Sequence, residues 1–310
     1  MPRACSSLAR PVGSLRDLRA AWTDRPLHYS RRIWALILAL DTLPWPLGEE
    51  LLARCMVGSA LLGRRGFRKA LAYAAAQPAL DRPPWRMALS LCAANGRFIA
   101  RSALVGLHEP EALASRFMVR GAEHVPARGR GAILISFHLG PRNAYLALRV
   151  AGHELTWIGG QSPSPAWSTR IRARYLPGHD VFPPRDNHLR TESTRLQLLY
   201  RAQHLVHAGA RVFLSADGVG AEAFTISLPG GSLPIRSGWL SLSRSTGAPV
   251  LPVLSHMEGR VQVATVHPAL PAFEADPERH LESCRQALHD VLNAHVRRYP
   301  EQCPTVAFTA

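Results

Sequence analysis

Lysine is almost absent from this chain. Lys69 is the only one among 37 basic residues, so the net charge of +15 at neutral pH is carried by arginine. Acidic residues are few as well, 22 in 310. A planar guanidinium grips phosphate and carboxylate in a fork, so this excess suits phosphorylated or acidic partners. Nucleic acid, an anionic membrane and an acidic carrier protein all stay open on charge alone. Cysteine is scarce: Cys5, Cys55, Cys92, Cys284 and Cys303 are scattered, odd in number and never in C-x-x-C spacing. No zinc site or disulfide framework is readable, which fits a reducing compartment.

Long hydrophobic runs are missing too. The best is "IWALILAL", Ile33 to Leu40, too short alone for a spanning helix of about 20 apolar residues. No apolar core follows Arg3, so no cleavable leader is expected. Asp41, Pro44, Pro46, Glu49, Glu50 and Arg54 interrupt the next stretch. Arg25, Arg31 and Arg32 precede the run, Trp22, Trp34 and Trp45 surround it, and "MVGSALLG" comes after. Basic flanks, interfacial Trp and broken apolar helices describe a segment lying in a bilayer surface. A buried helical hairpin is the competing reading, and the charge favours the membrane.

Several catalytic signatures are absent. There is no G-x-S-x-G elbow, no G-x-x-x-x-G-K-[ST], and no G-x-G-x-x-G after a strand. The glycines of "ARGRGA" precede a strand, the wrong side for a phosphate loop. His179, His188, His204 and His207 lack companion carboxylates, so no metal is expected; His204 and His207 read as surface or groove residues. A nucleic-acid role rests only on charge, without a basic recognition helix, stacking motif or zinc finger.

The chain changes character near Phe117. Before it, apolar residues recur at helical spacing, as in "RKALAYAAAQP" and "WRMALSLCAANGRFIARSALVGL". After it, strands alternate with helices. "FMVRG", "GAILISF", "ELTWIGG", "ARVFLSADG", "APVLPVLSH" and "RVQVATVHP" read as strands. "RNAYLALRVAG", "TESTRLQLLYRAQHLVHAG" and "SGWLSLSRSTG" read as helices, and a long final helix begins at the cap residue Asp276. The expected architecture is α/β, a mixed sheet flanked by helices. It divides into an N-terminal helical membrane-docking region, residues 1–116, and an α/β domain, residues 117–310. Residues 161–190 are proline-punctuated and loop-rich, a length of loop that is often functional.

The stretch "AILISFHLGPRN" delivers His138 from a buried strand straight onto a Gly-Pro turn. Ligands of open α/β sheets sit beyond the carboxyl ends of strands, and Gly140 permits close backbone approach there. A histidine so placed suits general base work.

"RGAEHVPARGRGAILISFHLGPRN" resembles the segment around the catalytic histidine of the lysophospholipid acyltransferase superfamily. More narrowly it resembles the late acyltransferases of lipid A biosynthesis, the lauroyl/myristoyl type. "LVHAGARVFLSADGVG", "SGWLSLSRSTGAPVLPVL" and "RRYPEQCP" resemble further motifs of that branch, in the right order over nearly the whole chain. The resemblance implies a glycerol-3-phosphate acyltransferase-like fold. The implied enzyme moves an acyl chain from an acyl carrier protein or coenzyme A thioester to a lipid hydroxyl, with a lipid A-like or other phospho- or glycolipid as acceptor. It needs no cofactor. Its partners would be acyl carrier protein and anionic membrane lipids, not nucleic acid. Its place would be the cytoplasmic face of the bacterial inner membrane, peripheral or monotopic.

In the family's H-x-x-x-x-D/E motif the His takes the acceptor's proton and the carboxylate orients the imidazole. His138 matches the His, and the carboxylate position falls on Asn143. An amide holds a tautomer but gives no charge to an imidazolium. Either another group orients His138, or activity is low, or the protein is a non-catalytic lipid-binding relative. Glu154, Asp217 and Glu222 are the candidate substitute acids. Asp217, at a strand end and matching the family's D-x-G, is the best of them. Arg236, before Ser237 and Gly238 at a helix start, is expected to bind phosphate. Arg170, Arg172 and Arg174 in "TRIRARYLPG" are expected to meet acceptor phosphates or the acidic donor. A solvated basic face is the competing reading for these four. Arg142 either anchors phosphate or pairs with a carboxylate. The backbone near Gly140 or Gly231 is expected to steady the thioester oxyanion. Glu123 and Glu301 match family positions and are expected to serve the fold.

Overall fold

A computed structural model describes residues 45–63, 65–78, 81–104, 114–158, 192–217, 221–273 and 276–309. The basic, Trp-rich run before Trp45 and the "TRIRARYLPG" stretch lie outside the described residues.

Among the described residues three helices come first: α1 (Trp45–Gly63), α2 (Arg65–Ala75) and α3 (Pro84–Leu104). They are followed by β1 (Phe117–Arg120), β2 (Ala132–Ser136), α4 (Ala144–Val150), β3 (Thr156–Trp157), α5 (Glu192–His207) and β4 (Arg211–Ser215). The chain continues through β5 (Glu222–Leu228), β6 (Gly231–Arg236), α6 (Gly238–Thr246), β7 (Val250–Glu258), β8 (Val261–Val266), α7 (Pro277–Arg298) and α8 (Pro304–Thr309).

Six strands form one mixed sheet in the order β1-β8-β7-β2-β4-β3. β2 lies at its centre, parallel to both β7 and β4. Within this sheet only β7 and β8 run antiparallel. β2 is buried along its whole length, which is why its sequence is a continuous apolar run rather than an alternation. One face packs on α4, where Tyr145 meets Trp157 edge-on at 5.0 Å and Phe213 at 5.4 Å. The opposite face, with Ile133 and Ile135, packs on the other helices. Tyr73, Met87 and Leu91 of α2 and α3 belong to that same core. The helical region and the α/β region therefore meet in one hydrophobic cluster.

Glu49, Glu50 and Arg54, which interrupt the apolar run in the sequence, lie within the continuous helix α1. Glu49 makes a buried ion pair with Arg101 of α3 at 2.9 Å, and Glu50 bonds Arg97 at 2.8 Å. The charges thus have partners across a helix pair. Burial pushes the Glu49 carboxyl up, while Arg101 pulls it back. The two helices touch at Gly96, where a Cβ would lie 2.8 Å from the Ala53 Cα. Among the described residues no helix is long and apolar enough to cross a membrane.

The β5–β6 hairpin goes beyond the sequence expectations. "EAFTISL" and "GSLPIR" flank Pro229-Gly230, a turn signal that the short alternating segments on either side reinforce. At the other end of the chain, Asp276 caps α7 as expected, its carboxylate accepting from the Glu278 and Arg279 amides. Gln302, within the "PEQ" turn, bonds both the amide and the carbonyl of Met257 on β7, so that motif is clamped to the sheet. Glu301 pairs with Arg82 at 3.5 Å, and Glu123 lies exposed in a short 3-10 turn.

Candidate active site

The site grows from strand register. Ser136 of β2 is paired with Ser215 of β4, and the ladder continues one step as the Ala216 amide donates to the Ser136 carbonyl at 2.8 Å. His138 and Asp217 each lie two residues beyond these paired serines. Parallel strands in register therefore deliver both to the same carboxyl edge. The Arg236 amide at the end of β6 donates to the Ala216 carbonyl at 2.6 Å, which seats the hairpin beside Asp217.

Both oxygens of Asp217 are engaged by His138. Oδ2 accepts from the His138 backbone amide at 2.7 Å, and Oδ1 lies 2.8 Å from Nδ1. A carboxylate can only accept, so this contact selects the tautomer with hydrogen on Nδ1. Nε2 then carries the lone pair, with no hydrogen-bond partner among the described residues. The Asp217 side chain is 2% exposed and the His138 side chain 35%. The anchor is sealed and the imidazole reaches outward. Such an arrangement can accept a proton from a bound hydroxyl at Nε2 and hold the resulting imidazolium against a buried negative charge.

Asn143, which the motif resemblance sets against a carboxylate, is placed elsewhere. It is buried at the start of α4, and its Nδ2 lies 3.5 Å from the Arg101 carbonyl at the end of α3. Its amide thus faces the helical region and not the imidazole. The carboxylate on His138 comes instead from Asp217. Of the other substitute acids, Glu154 precedes β3 at the opposite edge of the sheet and pairs with Arg128 at 3.1 Å. Glu222 bonds Thr225 and lies 3.7 Å from Arg236.

Gly140 belongs to the turn itself. A Cβ there would fall 2.0 Å from the Ser255 carbonyl oxygen, so only glycine lets this turn lie against β7. Gln262 holds the next residue, donating to the Pro141 carbonyl at 3.4 Å. Arg142 is exposed on the same turn. Arg236 reaches the site through its backbone at the β6 end. Gly231 does not: it opens β6 five residues away, next to a turn packed on Tyr73 and Gln77, roughly 17 Å of extended chain from Arg236. The hairpin is the reason, because without it Gly231 reads as part of a loop near the helix start. Arg170, Arg172, Arg174, His179 and His188 lie outside the described residues. His204 and His207 are exposed on α5. Among the described residues no group of three or more His, Cys, Asp or Glu is placed to hold a metal ion.

The fold and the dyad define a class in general terms: an α/β protein with a carboxylate-oriented histidine at the carboxyl edge of its central strands. No family model matches the sequence, and no curated protein matches it. Among solved structures the chain is similar to the 1-acyl-sn-glycerophosphate (LPA) acyltransferase from Thermotoga maritima, at 14% identity and a TM-score of 0.38, over 84% of this chain and 96% of that one. A likeness that slight carries no weight in the functional reading.

Proposed function

We propose that this protein is a membrane-associated acyltransferase in which His138 is the general base. The observation that carries the reading is the His138–Asp217 pair, with Nδ1 held at 2.8 Å and Nε2 left open. The acceptor hydroxyl gives its proton to Nε2 as its oxygen attacks the thioester carbonyl. The thiolate of the donor leaves and recovers a proton from the imidazolium, so transfer is direct and no acyl-enzyme forms. Asp217 steadies the positive imidazole between the two steps. The donor is an acyl carrier protein or coenzyme A thioester, and the acceptor is a lipid A-like or other phospho- or glycolipid hydroxyl. Arg142 and Arg236, flanking the dyad on the turn and at the hairpin end, suit an acceptor phosphate.

Residues 1–116 dock the protein on the cytoplasmic face of the inner membrane, and residues 117–310 carry the chemistry. Leu47, Leu51, Leu61 and Leu62 of α1 are exposed, and Arg54, Arg65 and Arg68 are exposed nearby, a pairing that suits an anionic lipid surface. The alternative of a non-catalytic lipid-binding protein rests on Asn143, and the Asp217 carboxylate on His138 supports the catalytic reading over it.

Lipid mass spectrometry of a strain lacking the gene tests the reading. One lipid class should lose an acyl chain, the wild-type gene should restore it, and the His138→Ala gene should not. Full restoration by His138→Ala would overturn the assignment.

A further inference from the structure

Gln262 is a polar residue at a buried place in a strand. It stands between Val261 and Val263 in β8 and is wholly enclosed. Its Oε1 is buried with no hydrogen-bond partner among the described residues. An apolar side chain of like length would avoid that loss. A residue that breaks the local pattern at such a cost marks a place where a side chain serves more than packing.

What Gln262 serves lies at its other end. Nε2 donates to the Pro141 carbonyl at 3.4 Å and lies 3.5 Å from the Ser255 hydroxyl. Pro141 stands between Gly140, whose backbone rests on the Ser255 carbonyl, and the exposed Arg142. No peptide bond among the described residues is cis. Across a trans peptide the C=O and the N–H that share one plane point opposite ways. The Pro141 carbonyl is drawn into the buried cluster, so the Arg142 N–H is turned away from it. That N–H has no hydrogen-bond partner among the described residues. It belongs to the same turn as the His138 imidazole, which also reaches outward. Gln262 therefore fixes the direction of one unpaired amide beside the dyad.

We infer that Gln262 is a positioning residue, and that the Arg142 amide it orients donates to the thioester carbonyl oxygen as that oxygen gains charge. The inference rests on the acyltransferase reading. In the step, the acceptor oxygen bonds to the thioester carbon and its proton passes to Nε2. The carbonyl π pair moves onto the oxygen, where the Arg142 N–H meets it. The pair returns as the C–S bond breaks, and the departing thiolate takes the proton from the imidazolium.

Two acyl donors test this on the full chain: a thioester, and the dithioester in which sulfur replaces the carbonyl oxygen. Sulfur is the weaker hydrogen-bond acceptor, so an N–H aimed at this atom favours the oxygen form. The oxygen-to-sulfur rate ratio reads that contact and is independent of how much protein is folded. Gln262→Met keeps the length and removes the amide. The ratio should fall about fivefold and the thioester kcat about 10–100-fold, with no drop in the thermal midpoint. Arg142→Pro deletes the N–H itself and should lower the ratio too, which keeps the test open if Gln262→Met does not fold. Arg142→Ala retains the N–H and should hold the wild-type ratio, while its rate falls with the lost guanidinium. A ratio unchanged in both Gln262→Met and Arg142→Pro overturns the inference, and so does an equal fall in Arg142→Ala. Failure of the acyltransferase reading shows separately, as a wild type that transfers from neither donor or a His138→Ala protein that matches it, and it takes this inference with it.

Discussion

Glu49 and Asp217 are both buried carboxylates that hold a basic partner, and their settings are opposite. Glu49 and Arg101 are both sealed, with side chains 9% and 5% exposed, and Arg101 also donates to the Arg260 carbonyl at 3.0 Å. The guanidinium is enclosed, so the pair joins α1 to α3 and to the β7–β8 turn. Asp217 is as deeply buried as Glu49, but its partner is a third exposed and presents a nitrogen to the outside. The same pairing is a clamp where both members are enclosed and a reactive group where one is open. Asn143 belongs to the first setting. Its amide reaches toward the Arg101 carbonyl, and it joins the turn after His138 to the clamp.

The contrast can be broken most sharply at Asp217. Asp217→Asn keeps the shape of the side chain but removes the charge and permits the wrong imidazole tautomer. Acyl transfer should fall by about 10²–10⁴ with little change in the thermal midpoint, the range in which a positioned base acts. Steady-state rates beside a melting curve check both halves. At the clamp the pattern should reverse. Arg101→Met leaves Glu49 buried without its cation and should cost about 3–5 kcal/mol of stability, read by denaturant unfolding. Replacing Glu49 and Arg101 together by apolar residues should restore much of that loss.

Acid should act through a third group. His295 of α7 is enclosed near His256 and His267, and burial holds it down at about 3. Burial lowers His256 and His267 as well, with Glu258 partly opposing this at His256. Below about pH 6.5 the unfolded histidine binds a proton that the folded one refuses. The stability its neutral form confers is therefore complete above pH 6.5 and is lost as pH falls toward 3, by up to about 1.4 kcal/mol per pH unit. Urea midpoints between pH 7 and pH 4 should show this slope, flattened in His295→Phe.

The smallest effect belongs to Asn143→Asp. A carboxylate at that position would place an acceptor against the Arg101 carbonyl in a buried setting. It should cost about 1–3 kcal/mol and should not raise transfer above wild type, because Asp217 already holds the imidazole. Unfolding curves and rates on the same preparation decide it. A clear gain in rate would mean that Asn143 reaches His138 during turnover.

Much of this is legible in the chain. The buried strand leading to His138, the strand leading to Asp217, and the Asp276 cap follow from apolar runs and cap chemistry that local structure dictates. The pairing itself is suggested by a motif, but no local rule produces it. It depends on β2 and β4 being neighbours in register, a long-range fact between residues 79 apart. Asn143 reads as a damaged catalytic position because motif spacing counts residues and says nothing of where a side chain points. The α4 start turns it toward α3, away from the dyad. Glu49 and Glu50 read only as interruptions of an apolar run, because their partners, Arg101 and Arg97, lie on another helix.

The most direct test of the central claim is acyl transfer by the purified full chain in anionic vesicles, wild type beside His138→Ala, with acyl carrier protein and coenzyme A thioesters as donors. The account predicts transfer to a lipid hydroxyl by the wild type, and its loss in His138→Ala with folding and vesicle binding unchanged. Equal turnover by the two proteins would contradict it.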